Sequence, residues 1–137
     1  MNNMDLLKEA KIARERAYTP YSHFKVGAAL LTKDGKIYHG CNIENAAFTP
    51  TNCGERTAFF KAVYEGEREF DRIAVVGAPE GVEADMPTAP CGVCRQVMME
   101  FCDPDTFVIV MPDGKGGAQE ILLKELVPYG FGPDNLK

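Results

Sequence analysis

Three cysteines and one glutamate have the types and spacing of a metal-dependent hydrolytic site. Cys53 and Glu55 belong to a Cys-Gly-Glu segment, and Cys91 and Cys94 belong to a Pro-Cys-Gly-Val-Cys segment further along the chain. Three thiolates can hold a zinc ion and leave its fourth position open, which is the arrangement of catalytic zinc sites. Glu55 is not needed as a ligand, and a carboxylate beside the open position could move protons during hydrolysis.

Both segments coincide with predicted helix starts. We expect helices over Cys53–Tyr64 and Cys91–Phe101, so that Cys53 opens one helix and the other two cysteines open the next. Helix N-termini offer unpaired N–H groups and the positive end of the helix dipole, which favour thiolate over thiol. Two converging N-termini would bring the three thiolates together. A Cys-x-x-Cys pair alone is equally typical of a structural zinc site or a buried pair.

The remaining pattern predicts strands and helices that alternate along the chain. A helix over Asp5–Tyr18 precedes a hairpin of Phe24–Thr32 and Lys36–Cys41, which turns at Asp34-Gly35. This order favours an α/β fold of three layers, α/β/α, with a mixed central sheet, formed as a single domain over residues 1–137. The other predicted elements are strands at Arg72–Gly77, Phe107–Met111 and Glu120–Leu123, and a short helix at Lys124–Val127.

The composition argues against several classes of protein. The chain has 137 residues, of which 20 are acidic and 15 basic, and its net charge is -5. An acidic balance disfavours general nucleic-acid binding, which relies on Lys and Arg. No apolar run approaches the roughly 20 residues that span a bilayer, and the N-terminal segment is too charged for a secretion signal. We therefore expect a soluble, cytoplasmic protein without nucleic-acid or membrane partners. It has five cysteines, and in a reducing compartment a cluster of cysteines is more often metal-binding or catalytic than disulfide-bonded.

Three longer segments surround the cysteines and the glutamate. They read YTPYSHFKVGAALLTKDGKIYHGCNIENAAF, NCGERTAFFKAV and PCGVCRQV, and together they cover much of the chain. In these segments the chain resembles the cytidine deaminases, in particular their small class with three cysteine ligands. The zinc motif alone marks a broad deaminase superfamily, whereas FKVGAALL together with GCNIENAAF narrows the resemblance to deaminases of free nucleosides. Gly54 stands where that family usually has Ala, and Phe48 where it often has Tyr.

The resemblance implies a role for each residue of the site. Zinc is the implied cofactor, and its implied ligands are Cys53, Cys91 and Cys94. Glu55 is implied to shuttle protons, and Arg56 to donate hydrogen bonds to ligand sulfurs and offset part of their charge. The implied reaction is the hydrolytic deamination of cytidine, and of 2′-deoxycytidine, to the uridine nucleoside plus ammonia in pyrimidine salvage. Substrate contacts are implied for Phe24, Asn42, Glu44, Ala46, the backbone of Gly54, and Phe131.

The C-terminal segment carries an implication for assembly. Tyr129 and Phe131 lie in a run rich in Gly and Pro, and the residues alone are equally consistent with a tail packed on its own domain. The small cytidine deaminases are homotetramers in which a C-terminal aromatic side chain reaches into a neighbouring active site. The resemblance therefore predicts a homotetramer in which Phe131 completes the site of another subunit.

Two alternatives stay open from the sequence. The chain could deaminate a related aminopyrimidine nucleoside, such as a nucleoside antibiotic. It could instead be a structural zinc module with a further cysteine or a histidine as the fourth ligand. Ordinary roles are expected for the remaining candidates: Cys41 and Cys102 as small buried hydrophobes, His23 and His39 as surface or hairpin residues, and Met98 as core filler.

Overall fold

The central element of the computed structural model, which describes residues 1–137, is a five-stranded mixed sheet with helices on both faces. None of the helices has the length and the hydrophobicity that a membrane-spanning helix requires. The strands are β1 (Phe24–Thr32), β2 (Ile37–Cys41), β3 (Phe70–Pro79), β4 (Val108–Pro112) and β5 (Ala118–Leu122). The helices are α1 (Asn3–Arg14), α2 (Gly54–Tyr64), α3 (Gly92–Phe101) and the short α4 (Leu123–Leu126), followed by a 3-10 turn at Pro133–Leu136.

The sheet has the strand order β2-β1-β3-β4-β5. Neighbouring strands are antiparallel except for β3 and β4, which run parallel. A parallel pair needs a crossover connection, and α3 lies on the one that joins β3 to β4. The predicted α/β/α fold with a mixed sheet is confirmed, and the crossover is the element that carries Cys91 and Cys94.

Successive residues of β1 point to opposite faces and supply two separate cores. Leu30 is buried on one face with Phe59 of α2 and Met98 of α3. Leu31 is buried on the other face with Leu7 of α1. The expectation that Met98 fills the core is confirmed, since its side chain is fully buried.

Two glycines allow helices to lie unusually close to the sheet. A Cβ atom at Gly27 of β1 would be 2.1 Å from the carbonyl oxygen of Ala10 in α1. A Cβ atom at Gly40 of β2 would be 2.2 Å from the carbonyl oxygen of Gly54, the first residue of α2. Only glycine fits either position without displacing backbone. The contact at Gly40 sets the start of α2, and with it the position of Cys53, against the sheet.

The N-terminal helix differs from its predicted range of Asp5–Tyr18. It begins earlier because the side chain of Asn2 caps it by accepting a hydrogen bond from the Asp5 amide at 2.8 Å. It ends at Arg14, whose buried guanidinium donates to the carbonyl oxygens of Lys25, Ala78 and Pro79 at 2.8–3.0 Å. The chain then leaves the helix, and the Tyr18 amide donates to the carbonyl of Asn42 at 3.0 Å.

The other differences lie at the ends of elements. β3 is longer than the predicted Arg72–Gly77 because it pairs with β1 along nearly its whole length, from Phe24 opposite Pro79 to Thr32 opposite Phe70. The last strand and the short helix each begin earlier than predicted, and the 3-10 turn at Pro133–Leu136 was not predicted.

Candidate active site

The N-termini of α2 and α3 converge, as their cysteines predicted. Cys53 is the residue that caps α2, Cys91 caps α3, and Cys94 lies in the first turn of α3. The Sγ atoms of Cys53 and Cys91 are 3.5 Å apart, those of Cys91 and Cys94 are 3.4 Å apart, and all three lie within 4.8 Å of one another. Sulfurs bound to one tetrahedral zinc ion at about 2.3 Å are about 3.8 Å apart. The cluster therefore fits a zinc ion after small adjustments.

The donor set is suited to zinc and leaves room for a reactant. Thiolates are soft ligands that select zinc over hard cations. No fourth His, Cys, Asp or Glu side chain joins the three sulfurs. Closed structural zinc sites have four protein ligands, so the geometry is that of a three-ligand site.

Cys53 and Cys94 differ in how readily their thiols lose a proton. The hydrogen bond from Cys94 is the main reason that the pKa of Cys53 falls to about 5. Arg56 lowers it further, since its guanidinium donates to Cys53 Sγ at 3.3 Å. The pKa of Cys94 is raised because its proton is held in the bond to Cys53. Arg56 thus has the contact with a cluster sulfur that the resemblance implied.

Glu55 is a buried carboxyl group in the first turn of α2, with only 3% of its surface exposed. Burial raises the pKa of Glu55 to about 7, and the nearby Cys53 thiolate also raises it. Its Oε1 atom is buried without a hydrogen-bond partner. Such atoms are costly and rare in folded proteins. Glu55 can therefore gain or lose a proton near neutral pH, and it has an oxygen free to do so.

Glu55, Cys53 and Cys91 line a cavity of about 240 Å³. Phe24 and Asn42 lie on the wall of the same cavity, so the structure brings these two predicted substrate contacts to the cysteines and the glutamate. Sequence reasoning missed other residues of the wall, and the only signal for two of them was their place just before Pro90-Cys91. These lining residues are Val26, Thr51, Asn52, Val75, Thr88 and Ala89.

Asn42 and Glu44, which follow β2, face two adjoining cavities. The Asn42 amide donates to the Phe24 carbonyl at 2.8 Å and accepts from the Val26 amide at 2.9 Å. Glu44 lines a second cavity of about 290 Å³ that shares Thr51 with the first. A hydrogen bond from the Ser22 hydroxyl is the main reason that the pKa of Glu44 is lowered.

Three other predicted substrate contacts are placed differently. Ala46 is exposed in the loop after β2 and lines neither cavity. Gly54 is buried behind the site, where a Cβ atom would lie 3.3 Å from Cys41 Cα. Phe131 is 56% exposed and lines neither cavity of its own chain.

The remaining cysteines and histidines lie outside the cluster. Cys41 and Cys102 are half-buried rather than fully buried. Cys41 is the last residue of the edge strand β2, and Cys102 follows the last residue of α3. His23 is exposed, as expected. His39 of β2 lies 3.0 Å from the Glu9 carboxylate, measured from Nε2 to Oε1. None of these four side chains joins the three sulfurs.

Comparison with known proteins agrees with this geometry. Residues 1–111 match the family described as the cytidine and deoxycytidylate deaminase zinc-binding region. A cytidine deaminase of Sporosarcina psychrophila is 52% identical over 131 residues, covering 96% of this chain and 92% of the relative. One of Halalkalibacterium halodurans is 50% identical over 136 residues, covering 99% and 98%. A crystal structure of cytidine deaminase from Burkholderia pseudomallei has a TM-score of 0.85 at 50% identity, covering 96% of this chain and all of that one.

The chain therefore belongs to the cytidine and deoxycytidylate deaminase family, and zinc is its cofactor. This confirms the resemblance carried by the sequence segments, and the shared fold confirms the predicted architecture.

Proposed function

We propose that this chain catalyses the hydrolytic deamination of cytidine and 2′-deoxycytidine to uridine or deoxyuridine plus ammonia, as a step of pyrimidine salvage. The observation that carries the proposal is the buried Glu55 carboxyl group, which lies beside three clustered sulfurs and has an unpartnered oxygen. Identity of about half to proteins named cytidine deaminase supports the substrate class.

Cys53, Cys91 and Cys94 hold the zinc ion in this proposal. Zinc at such a site supplies the activation of water that hydrolysis at neutral pH requires. Three thiolates carry more negative charge than the ion neutralises. The Arg56 guanidinium, which donates to Cys53 Sγ at 3.3 Å, offsets part of that charge.

Glu55 moves the protons of the reaction. Its Oε1 atom accepts a proton from the attacking water and delivers it to the ring nitrogen beside the carbon that bears the amino group. Attack of the hydroxide on that carbon then breaks the ring's conjugation. The proton of the new hydroxyl group passes through Glu55 to the amino group, which leaves as ammonia as the carbonyl forms. A pKa of about 7 lets one carboxyl group accept and donate at neutral pH.

The residues around the cavity bind the nucleoside. The Phe24 ring packs against the base. The Glu44 carboxylate accepts hydrogen bonds from the ribose hydroxyls, and the Asn42 amide donates to them or accepts from them. The backbone of Gly54 and the exposed Ala46 are weaker candidates for contacts to the base. A carboxylate at the ribose side repels a phosphate group, so a free nucleoside is favoured over a nucleotide.

We further propose a cytoplasmic homotetramer. Phe131 is largely exposed and lines neither cavity of its own chain, which supports a role in the site of a neighbouring subunit. There its ring would cover the pyrimidine and help to exclude water, and the glycines on both sides of it let the two backbones approach closely.

An absorbance assay on four compounds tests the function. Cytidine and deoxycytidine should lose their amino group with release of ammonia, whereas cytosine and cytidine monophosphate should react far more slowly. Faster turnover of an aminopyrimidine nucleoside antibiotic than of cytidine would favour the related antibiotic deaminase. Zinc binding with no turnover of any of these would favour a structural zinc module.

A further inference from the structure

The Ser22 hydroxyl joins two residues of the proposed nucleoside site. It donates a hydrogen bond to Glu44 Oε2 and accepts one from the Phe24 amide at 3.0 Å. The other oxygen of the same carboxylate, Glu44 Oε1, accepts from the backbone amides of Tyr21 and Ser22 at 3.1 and 3.0 Å. Both oxygens of Glu44 are therefore held by one short segment before β1.

The hydrogen bonds continue from Phe24 to Asn42. The carbonyl of Phe24 accepts from Asn42 Nδ2 at 2.8 Å, and Asn42 Oδ1 accepts from the Val26 amide at 2.9 Å. A single chain of hydrogen bonds thus connects Glu44, Ser22, Phe24 and Asn42. Ser22 lines the second cavity beside Glu44, and it is the only member of this chain of hydrogen bonds to which the proposed function assigns no role. It links the base side of the site to the ribose side.

The segment that carries Ser22 is held in an uncommon backbone conformation. His23, between Ser22 and Phe24, has φ of 56°, in the left-handed region that few residues other than glycine adopt. Backbone bonds hold it there: the His23 amide donates to the Thr19 carbonyl at 3.1 Å, and its carbonyl accepts from the Glu80 amide at 2.6 Å. This turn aims the hydroxyl and amide of Ser22 at Glu44 while the next residue enters β1.

We propose that Ser22 is a positioning residue that sets the preference of the site for nucleosides. The Glu44 side chain has three rotatable bonds and stands in a loop facing solvent, so without partners it would occupy several rotamers. Ser22 holds the carboxylate in one of them, at a set position relative to Phe24. This inference rests on the proposed function, because it concerns how Glu44 meets the ribose.

The test compares Ser22→Ala with Ser22→Thr and with Thr106→Ala. Ser22 is exposed, so loss of its hydroxyl leaves the core intact, and Thr keeps the hydroxyl. Thr106 is an exposed residue that lines neither cavity, and it controls for the removal of a surface hydroxyl. The measurements are kcat and KM for cytidine, kcat/KM for cytosine, and zinc per chain.

Ser22→Ala should raise KM for cytidine about five- to tenfold. This is less than a full hydrogen bond to a charged group contributes, because two backbone amides still hold Glu44 Oε1. It should leave kcat, the trace rate on cytosine and the zinc content within about twofold of the parent. Ser22→Thr should restore KM to within about twofold, and Thr106→Ala should match the parent throughout.

Three results would overturn the inference. An unchanged KM in Ser22→Ala, when Glu44→Ala raises it, would remove the role of Ser22 and leave the proposed function standing. Equal damage by Ala and Thr, or a loss of zinc together with kcat, would show that Ser22 only maintains the loop. Failure of the parent enzyme to act on cytidine would overturn the proposed function, and the inference with it.

Discussion

Gln96 of α3 donates a hydrogen bond from Nε2 to the carbonyl oxygen of Phe131 at 2.8 Å. The preceding residue, Arg95, donates to the carbonyl oxygens of Pro90 at 2.7 Å and Leu126 at 2.9 Å. The helix that carries Cys94 therefore also fastens the C-terminal segment. The backbone of Phe131 is held on its own chain while more than half of its surface remains exposed, so in the proposed tetramer its ring would be available to a neighbouring subunit.

If Phe131 acts across an interface, two inactive variants should complement each other. Glu55→Gln chains and Phe131→Ala chains would be mixed under conditions that exchange subunits. Some sites in the mixed tetramers would combine an intact Glu55 from one chain with an intact Phe131 from another, so activity should exceed the average of the two parents. Native mass spectrometry verifies the exchange, and exchange without any gain in activity would contradict a role across the interface.

Glu55→Gln should retain one zinc ion per chain and lose nearly all turnover. The amide has nearly the shape of the carboxyl group but cannot carry the proton, and general acid–base catalysis typically contributes about 10²–10⁴-fold. Metal analysis and the cytidine assay measure the two properties separately. More than about a tenth of the parent activity would count against Glu55 as the proton shuttle.

Glu44→Ala should weaken the use of cytidine far more than any trace activity on cytosine, which has no ribose. We expect kcat/KM for cytidine to fall at least about tenfold, the scale of one hydrogen bond to a charged group. The comparison needs kcat/KM for both compounds with the same enzyme preparation. Equal losses on the two substrates would remove Glu44 from the ribose site.

The affinity of the enzyme for cytidine should be maintained at mildly acidic pH. The Ser22 hydroxyl, helped by two backbone amides and His23, lowers the pKa of Glu44. Because its pKa is lowered, the Glu44 carboxylate stays charged when the pH falls below about 4.3, the ordinary pKa of glutamate. Its contribution to cytidine affinity is lost only when the pH falls through the lowered pKa. Ser22→Ala should move this loss to higher pH.

Calorimetric titration of cytidine into the Glu55→Gln enzyme at several pH values measures this dependence without turnover. Glu44→Gln in the same background provides the control, since its affinity should not follow the titration of residue 44. If cytidine affinity fell over the same acidic pH range with and without the Ser22 hydroxyl, the claim that this hydroxyl lowers the pKa of Glu44 would be contradicted.

Gly27→Ala should destabilise the fold by about 2–3 kcal/mol, the cost of overpacking a close contact. The added methyl group would lie 2.1 Å from the Ala10 carbonyl oxygen and force α1 away from β1. Gly92→Ala is the matched control, because a Cβ atom there meets nothing within 4 Å, and we expect its effect to stay within about 0.5 kcal/mol. Urea unfolding of both variants gives the difference, and equal midpoints would refute the packing argument.

The chemically distinctive part of the site could be predicted because it is encoded locally. Cys53 and Glu55 are separated by one residue at a helix start, as Cys91 and Cys94 are by two, so short-range patterns indicate both the residue types and their elements. The continuous apolar runs along β1 and β3 likewise predict a sheet covered on both faces. These features depend on neighbours within a few positions of the chain.

Other features were decided by partners distant in the sequence. α1 ends at Arg14, whose guanidinium donates to carbonyl groups of β1 and β3, although the local pattern continues helical past it. Ser22 reaches Glu44 only because β1 and β2 pair side by side and bring the two loops together. Gln96 meets Phe131 for a similar reason. Local sequence determined which residues could do chemistry, whereas tertiary packing determined how their side chains are oriented. The reason is that the contacts that orient a side chain form only when distant segments of the chain meet.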